Sequence, residues 1–470
     1  MTQRYEPVIG IECHVELKTA TKMFCGCLNE FGGEPNTKIC PTCLGLPGAL
    51  PVPNRRAVEH LITVGVAFGS KIAEFSKFDR KNYFYPDMPK DYQISQYDMP
   101  LAVGGAVKYW MDDGTLRECR LTRVHLEEDT GKSTHAGSGD GRIAGSEYSL
   151  IDFNRAGVPL MECVSEPDLH SAQEATAYLE ALRRTLLALG VSDVKMEEGS
   201  LRCDANVSVR PAGSSALGTK TEIKNMNSFR SVERAISSEV ARQVGILESG
   251  GRIEQETRGW DEVNDVTHSM RSKEEAHDYR YFPDPDLVPL EIASAQAQRV
   301  AAALPELPLR RFERYTQEYS VAARQAAQLV DNVPLALYFE RVIALGAPPG
   351  AALNFVLGDL SRLANETGVA VADSAVTPEY LGEVIALVEQ RRITSKVAKD
   401  VLGRSWQGGG SPAAIVEREG LAQQSDQGSL APLVDQTLAA HPGVVADFRA
   451  GKVNVFGFLV GQVMKASRGT

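Results

Sequence analysis

The chain has 470 residues, 43% of them apolar and 24% charged, with a formal net charge of −11. That length exceeds one hydrophobic core and predicts two to four domains, while the acidic balance excludes wholesale binding to nucleic acid. No apolar run reaches the length of a membrane span, and Met1-Thr-Gln-Arg-Tyr-Glu6 lacks an apolar signal core, so a cytoplasmic protein with no membrane partner is expected.

Residues 8–18 alternate. Ile9, Ile11, Cys13, Val15 and Leu17 fall on one side of a period-two strand, and Glu12, His14 and Glu16 on the other. Two carboxylates and an imidazole in one row repel or compete unless a cation sits among them. The row reads as the floor of a metal site on a sheet, with a solvated face of ion pairs as the alternative. Cys25-x-Cys27 and Cys40-x-x-Cys43 follow, twelve residues apart. Two close pairs across a short loop are what tetrahedral coordination by four thiolates requires, and four thiolates leave no open position. A structural zinc pinning loop 24–46 is expected; four buried free cysteines are the other reading.

Lys77–Lys90 crowds charges with aromatics, as does Arg280–Asp286. Such segments either sandwich a base or pack the rim of a domain. Further alternating strands are predicted at Arg117–Glu128, with Arg123, His125 and Glu127 on one face, and at Leu201–Arg210, with Arg202, Asp204 and Asn206 on one face. A third, Thr221–Met226, puts Glu222 beside Lys224. Helices are predicted at Ser171–Leu189 and Ser231–Glu248. Strands wet on one face imply an antiparallel or mixed sheet in an α+β domain. If their polar faces share one pocket, the carboxylates and a histidine hold one or two hard divalent cations, and the Arg and Lys residues hold a polyphosphate. That layout suits nucleotide-dependent phosphoryl transfer. Glu127 keeps the phase of its strand and is favoured as a ligand over Glu128 and Asp129, whereas Glu197-Glu198 reads equally as a solvated turn. Thr130-Gly-Lys-Ser133 lacks the first glycine of a phosphate loop, and Gly139-x-Gly141-x-x-Ala144 has no apolar strand before it; both are set aside.

From about residue 295 the pattern turns Ala-rich and 3.6-periodic, with helices predicted at Ala293–Leu304, Ser320–Val330, Pro334–Leu345, Ala351–Glu366 and Pro378–Gln390. Gly408–Pro412 is a flexible joint, and a last helical module ends in Val453–Lys465. Residues 391–470 hold ten Lys and Arg against six Asp and Glu, a local balance of +4, so any nucleic-acid contact belongs there.

The segment Ile151-Asp-Phe-Asn-Arg-Ala-Gly-Val-Pro-Leu-Met-Glu-Cys-Val-Ser-Glu-Pro-Asp168 resembles the signature of the family of B subunits of aspartyl/glutamyl-tRNA amidotransferases. Glu12–Lys18, Lys77–Pro86, Met196–Asn206 and Phe456–Lys465 are similar to it too, so the likeness spans essentially the whole chain. The resemblance implies a glutamine-synthetase-like α+β catalytic domain with a mostly antiparallel sheet (residues 1–293), an all-α helical domain (294–407) and a small helical tail domain (408–470). It implies ATP-dependent phosphorylation of the side-chain carboxylate of Glu or Asp mischarged onto tRNA(Gln) or tRNA(Asn), followed by amidation with ammonia. Glu12, His14 and Glu127 match magnesium-ligand positions, and Glu128 and Lys90 match a polar gate for ammonia; Arg202, Asp204, Asn206 and Lys224, on the polar strand faces, are the candidate ATP-binding residues. The tail and helical domain would grip tRNA, with Lys452, Lys465 and Arg468 as basic contacts in the tail. Family members usually continue with a further helix past the segment at which this sequence ends. The chain carries no amidase-like nucleophile segment, so ammonia is expected from a separate amidase subunit, with a small third subunit bracing the pair and an aminoacyl-tRNA synthetase as a further partner. A free-standing metal-dependent ligase or kinase on a small carboxylate, and a non-enzymatic tRNA-binding scaffold, are the competing classes.

Overall fold

The computed structural model describes residues 4–137, 145–272, 279–422 and 427–466. The chain divides into two compact units, Met1–Arg311 and Phe312–Thr470.

The first unit is built on a ten-stranded sheet. Its strands are β1 (Tyr5–Glu16), β2 (Lys71–Ile72), β3 (Ala102–Val103), β4 (Ala106–Trp110), β5 (Leu116–Glu128), β6 (Pro159–Ser165), β7 (Leu201–Pro211), β8 (Thr221–Lys224), β9 (Glu256–Asp261) and β10 (Val266–Ser272). They lie in the order β10-β9-β8-β7-β1-β6-β5-β3-β2, and β4 also pairs β5. All of these pairs are antiparallel except β8 with β9. The α+β class with a mostly antiparallel sheet is therefore as expected.

The alternation in β1 is why the sheet has two different faces. Ile9, Ile11, Cys13 and Val15 are fully buried, and they join one core with Leu121, Val124 and Leu126 of β5 and Cys203, Ala205 and Val207 of β7. Three helices cover that apolar face: α1 (Arg55–Ala67), α2 (Ala172–Leu189) and α3 (Phe229–Glu248). Each is capped by a polar side chain, Asn54, Ser171 or Ser228, that accepts from backbone N–H groups of the first turn. Gly190, at φ 66°, closes α2 in the left-handed conformation that spares glycine a Cβ clash. Burying a side chain such as Ile9 or Ile11 contributes about 1.5–3 kcal/mol, so the apolar row fixes which face of β1 turns away from the helices. A one-residue slip would exchange the two rows.

The second unit is helical throughout its described residues. Pro378–Glu389 and Val333–Ala344 match their periodicities closely. The single helix expected at Ala351–Glu366 is instead three segments, Pro349–Asn354, a π-helical Phe355–Leu360, and Ser361–Thr367. The wider turn has a local cause: the Ser361 hydroxyl donates to the Val356 carbonyl at 2.7 Å. The helix at Pro308–Gln317 is an addition to the predicted set. No helix of the described residues is long and apolar enough to cross a membrane.

Candidate active site

Residues directly opposite each other in antiparallel strands project to the same face, so the register fixes what meets on the polar side. His14 lies opposite Arg202 on β7 and Glu162 on β6, and Glu162 lies opposite His125 on β5. Glu12 lies opposite Asp204 and Val164, and Val164 opposite Arg123. One row further along, Glu16 and Glu127 flank Leu160. The polar rows of β1, β5 and β7 thus share one face, with β6 between β1 and β5.

Three side chains converge there. His14 Nε2 is 3.7 Å from both Glu127 Oε1 and Glu162 Oε2, and donor atoms of these three residues all lie within 4.8 Å of one another. Glu127 and Glu162 keep only 4% and 12% of their side chains exposed, His14 24%. Beneath them His125 Nε2 sits 3.2 Å from Glu162 and 3.7 Å from Glu127. Burial alone would push the His125 imidazole down, but its hydrogen bonds to Glu127 and Glu162 outweigh this and raise it to about 9. The same contacts hold both carboxyls below the usual range against burial, so both are anionic. Ser95 Oγ steadies Glu127 Oε2 at 3.1 Å. Two carboxylates and an imidazole, part-exposed on one side, are a donor set for a hard divalent cation that keeps open positions for phosphate oxygens.

Around this triad the expected residues fall into pairs. Asn206 donates to Glu12 Oε1 at 2.8 Å, and burial together with Glu162 nearby raises the Glu12 carboxyl. Arg202 donates to Asp129 at 2.7 Å, and Lys224 to Asp204 at 2.6 Å with Glu222 at 3.1 Å. Glu16 is half-buried near Asp129, and its desolvation with that like charge raises its carboxyl to about 8. Glu128, one residue past Glu127, projects to the other side of β5. It forms a buried ion pair with Lys90, and its Oε1 also accepts from the Ile94 backbone at 2.8 Å. A cavity of about 50 Å³ beside this pair is also lined by Cys25, Cys43 and Tyr92.

The four cysteines Cys25, Cys27, Cys40 and Cys43 gather with sulfurs within 4.8 Å of one another. A hydrogen bond from Cys25 lowers the Cys43 thiol to about 5, while burial and Cys40 push Cys27 up to about 11. Crowded sulfurs that push one another's thiols in opposite directions fit a set whose protons a soft cation would displace on binding.

The two aromatic segments come together. Asp79–Asn82 pairs with Phe282–Pro283, Arg80 Nε donates to Asp284 at 2.8 Å, and Tyr97 stacks on Tyr281 at 4.1 Å. Thr130–Ser133 passes from the end of β5 into a hairpin strand and precedes no helix; Gly139–Ala144 lies outside the described residues. In the tail, Lys452 is exposed and paired with Asp447 at 3.0 Å, and Lys465 is exposed near the end of the helix Phe456–Ala466. Arg468 lies outside the described residues.

Glu162 is absent from the residues that the sequence pattern singles out. Its only signal there is a lone carboxylate at the phase of Leu160 and Val164 in the otherwise apolar run Pro159–Ser165. Asp129 reads in the sequence as no more than part of an acidic turn.

Residues 7–298 match the family model for the GatB/GatE catalytic domain, and residues 337–470 that for the GatB domain. A curated protein of Moorella thermoacetica, named as the B subunit of aspartyl/glutamyl-tRNA(Asn/Gln) amidotransferase, is 54% identical over 465 residues, 99% of this chain and 96% of its own length. Proteins of the same name from Carboxydothermus hydrogenoformans and Thermosynechococcus vestitus are each 50% identical over 99% of this chain, covering 96% and 93% of their own lengths.

Proposed function

The chain belongs to the family of B subunits of aspartyl/glutamyl-tRNA(Asn/Gln) amidotransferases, and from that premise we propose that its sheet face activates the side-chain carboxylate of a mischarged aminoacyl-tRNA for amidation. The substrate carboxylate oxygen attacks the γ-phosphorus of ATP and ADP leaves. The nitrogen of ammonia then attacks the acyl carbon, and phosphate leaves with the oxygen that joined it. The products are Gln-tRNA(Gln) or Asn-tRNA(Asn), ADP and phosphate. The observation that carries this reading is the convergence of His14, Glu127 and Glu162.

In this scheme His14, Glu127 and Glu162 would hold magnesium, with Glu12 one row away, and a bound ion would supply charge neutralisation for phosphoryl transfer. Arg202, Asp204, Asn206 and Lys224 border the nucleotide. Glu128 and Lys90 guard the ammonia entry, where the Glu128 carboxylate is placed to take the proton that ammonium must lose before its nitrogen can attack. The four cysteines hold a structural zinc: soft donors, tetrahedral number and closed shell all fit that ion. The domain is of the glutamine-synthetase-like type, with the catalytic part at 1–293, a helical domain at 294–407 and a tRNA-binding tail at 408–470. Ammonia comes from a separate amidase subunit, with a small third subunit as brace, in the cytoplasm, and an aminoacyl-tRNA synthetase is a further partner.

The test is ATP cleavage by the chain assembled with its partner subunits. Turnover that requires mischarged tRNA supports the proposal. Turnover on free Glu or Asp points to a small-molecule ligase, and absence of turnover to a scaffold.

A further inference from the structure

Lys22 stands at the edge of the four-cysteine loop and is completely buried, with 0% of its surface exposed. Among the described residues its ammonium meets two groups only, the Phe153 carbonyl at 3.2 Å and Cys43 Sγ at 3.9 Å. No carboxylate pairs with it there, and the nearby Glu128 is taken by Lys90. A buried ammonium with one carbonyl for company costs several kcal/mol unless opposite charge lies beside it. Without a metal the sulfurs supply at most the single charge of Cys43. Four thiolates around a divalent cation carry a formal net charge of two minus, and their Cys43 corner is where Lys22 points.

The same contact reaches the gate. Met23 donates to the Gly157 carbonyl at 2.7 Å, and the Gly157 N–H donates to Asp129 at 2.9 Å. A Cβ placed at Gly157 would lie 3.5 Å from Cys43 Cβ, 3.6 Å from Lys22 Cδ and 3.9 Å from Glu128 Oε2. One at Gly45, on the cysteine loop, would collide with the Lys90 side chain. The loop is therefore packed directly on Lys90, and Gly157 lies between Cys43, Lys22 and Glu128.

We propose that Lys22 is the outer cation of the four-sulfur metal site: it offsets the charge of the thiolates through Cys43 and, anchored on Phe153, fixes the metal loop as the wall behind Lys90 and Glu128. It is a positioning residue and touches no substrate. The proposal rests on the zinc reading above and goes beyond it in giving the site a built-in counter-charge.

The experiment uses the full-length chain purified with zinc, and Lys22→Met, Lys22→Gln and Lys22→Arg beside it. Zinc release to a chelating dye is followed under reducing conditions, and thermal midpoints are taken before and after the metal is stripped. Loss of an outer partner weakens metal binding by about 10–100-fold; the Met and Gln variants should show that loss, and Arg should restore most of it. With zinc bound, wild type should melt above Lys22→Met; stripped of zinc, that margin should shrink, because only the Cys43 sulfur then offers its ammonium a negative charge. Gln keeps a donor for Phe153 without the charge and carries the test if Met fails to fold. Equal zinc release in all three variants overturns the proposal, as does a destabilisation that is the same with and without zinc. A wild-type chain that takes up no zinc overturns the metal reading and this proposal together.

Discussion

The first unit holds two clusters of metal-ligating side chains, and they are made in opposite ways. His14, Glu127 and Glu162 stand on long strands whose register is fixed by backbone pairing and by a buried apolar row on the reverse side. Cys25, Cys27, Cys40 and Cys43 stand on a loop with almost no regular structure between residues 17 and 54. The sheet-borne set offers oxygen and nitrogen and stays open on one side; the loop-borne set offers sulfur only and closes on itself. The donor atoms of each set lie within 4.8 Å of one another; the first is held so by strand register, whereas a bound ion would be what fixes the loop of the second. Chemistry and scaffold agree in each case.

The sharpest way to break that contrast is to remove one ligand from the sheet. Glu127→Gln and Glu162→Gln should each reduce amide formation by about 10²-fold or more, because the ion's several kcal/mol of charge stabilisation are lost. Affinity for tRNA should stay near wild type, since no phosphate-backbone contact is removed. Rates with mischarged tRNA and filter binding of the same tRNA check both halves. Full activity in Glu162→Gln would return the site to a set centred on Glu12.

That experiment also weighs what the sequence could and could not tell. The alternation of β1, β5 and β7 was legible because period two is a local property, and Glu12, His14, Glu127, Arg202 and Asp204 followed from it. The neighbour relations were not, because pairing β1 with residues about 150 and 190 positions away is a non-local choice made by the whole core. Glu162 was hidden for that reason: its strand shows a single carboxylate, and only the positions of β1 and β5 on either side turn it into a ligand. Glu128 and Lys90 came from family likeness alone, since nothing in their local pattern foretells a buried ion pair between residues 38 apart. In the second unit, 3.6-residue periodicity located most helices but gave no sign of the π-helical segment at Phe355–Leu360.

The loop-borne site should fail in the other direction. Cys40→Ser, or stripping zinc from the wild-type chain, should lower the thermal midpoint by several degrees and expose loop 24–46 to proteolysis. The sheet-borne triad should still support ATP cleavage, with amide formation falling more than ATP consumption because the loop walls Lys90 and Glu128. Equal losses of the two activities would mean that the clusters are not independent. Deleting residues 413–470 is a control in the second unit: tRNA affinity should fall by about tenfold or more with a shallower salt dependence, as basic contacts are lost, and ATP binding should persist. Unchanged tRNA affinity would remove the tail from the grip.

The smallest expected effect tests the joint between the two sites. His60 on α1 is buried, and its Nε2–H donates to the Lys18 carbonyl at 3.0 Å, in the short segment that leads from Glu16 to the cysteine loop. A carbonyl only accepts, so Nε2 carries a proton. Burial lowers its pKa, and the bond to Lys18 only partly opposes that. The sign follows from linkage: below the unfolded value of about 6.5 the unfolded chain takes a proton that the native ring resists, so stability is present above that pH and is lost as pH falls. Wild type should therefore lose on the order of 1–2 °C more than His60→Gln between pH 7.5 and 5.5, and zinc release, which acid quickens in both because protons compete for the thiolates, should quicken more in wild type. Parallel melting curves would show that the segment between the sheet and the loop bears no titrating strain, and that each cluster is held by its own scaffold alone.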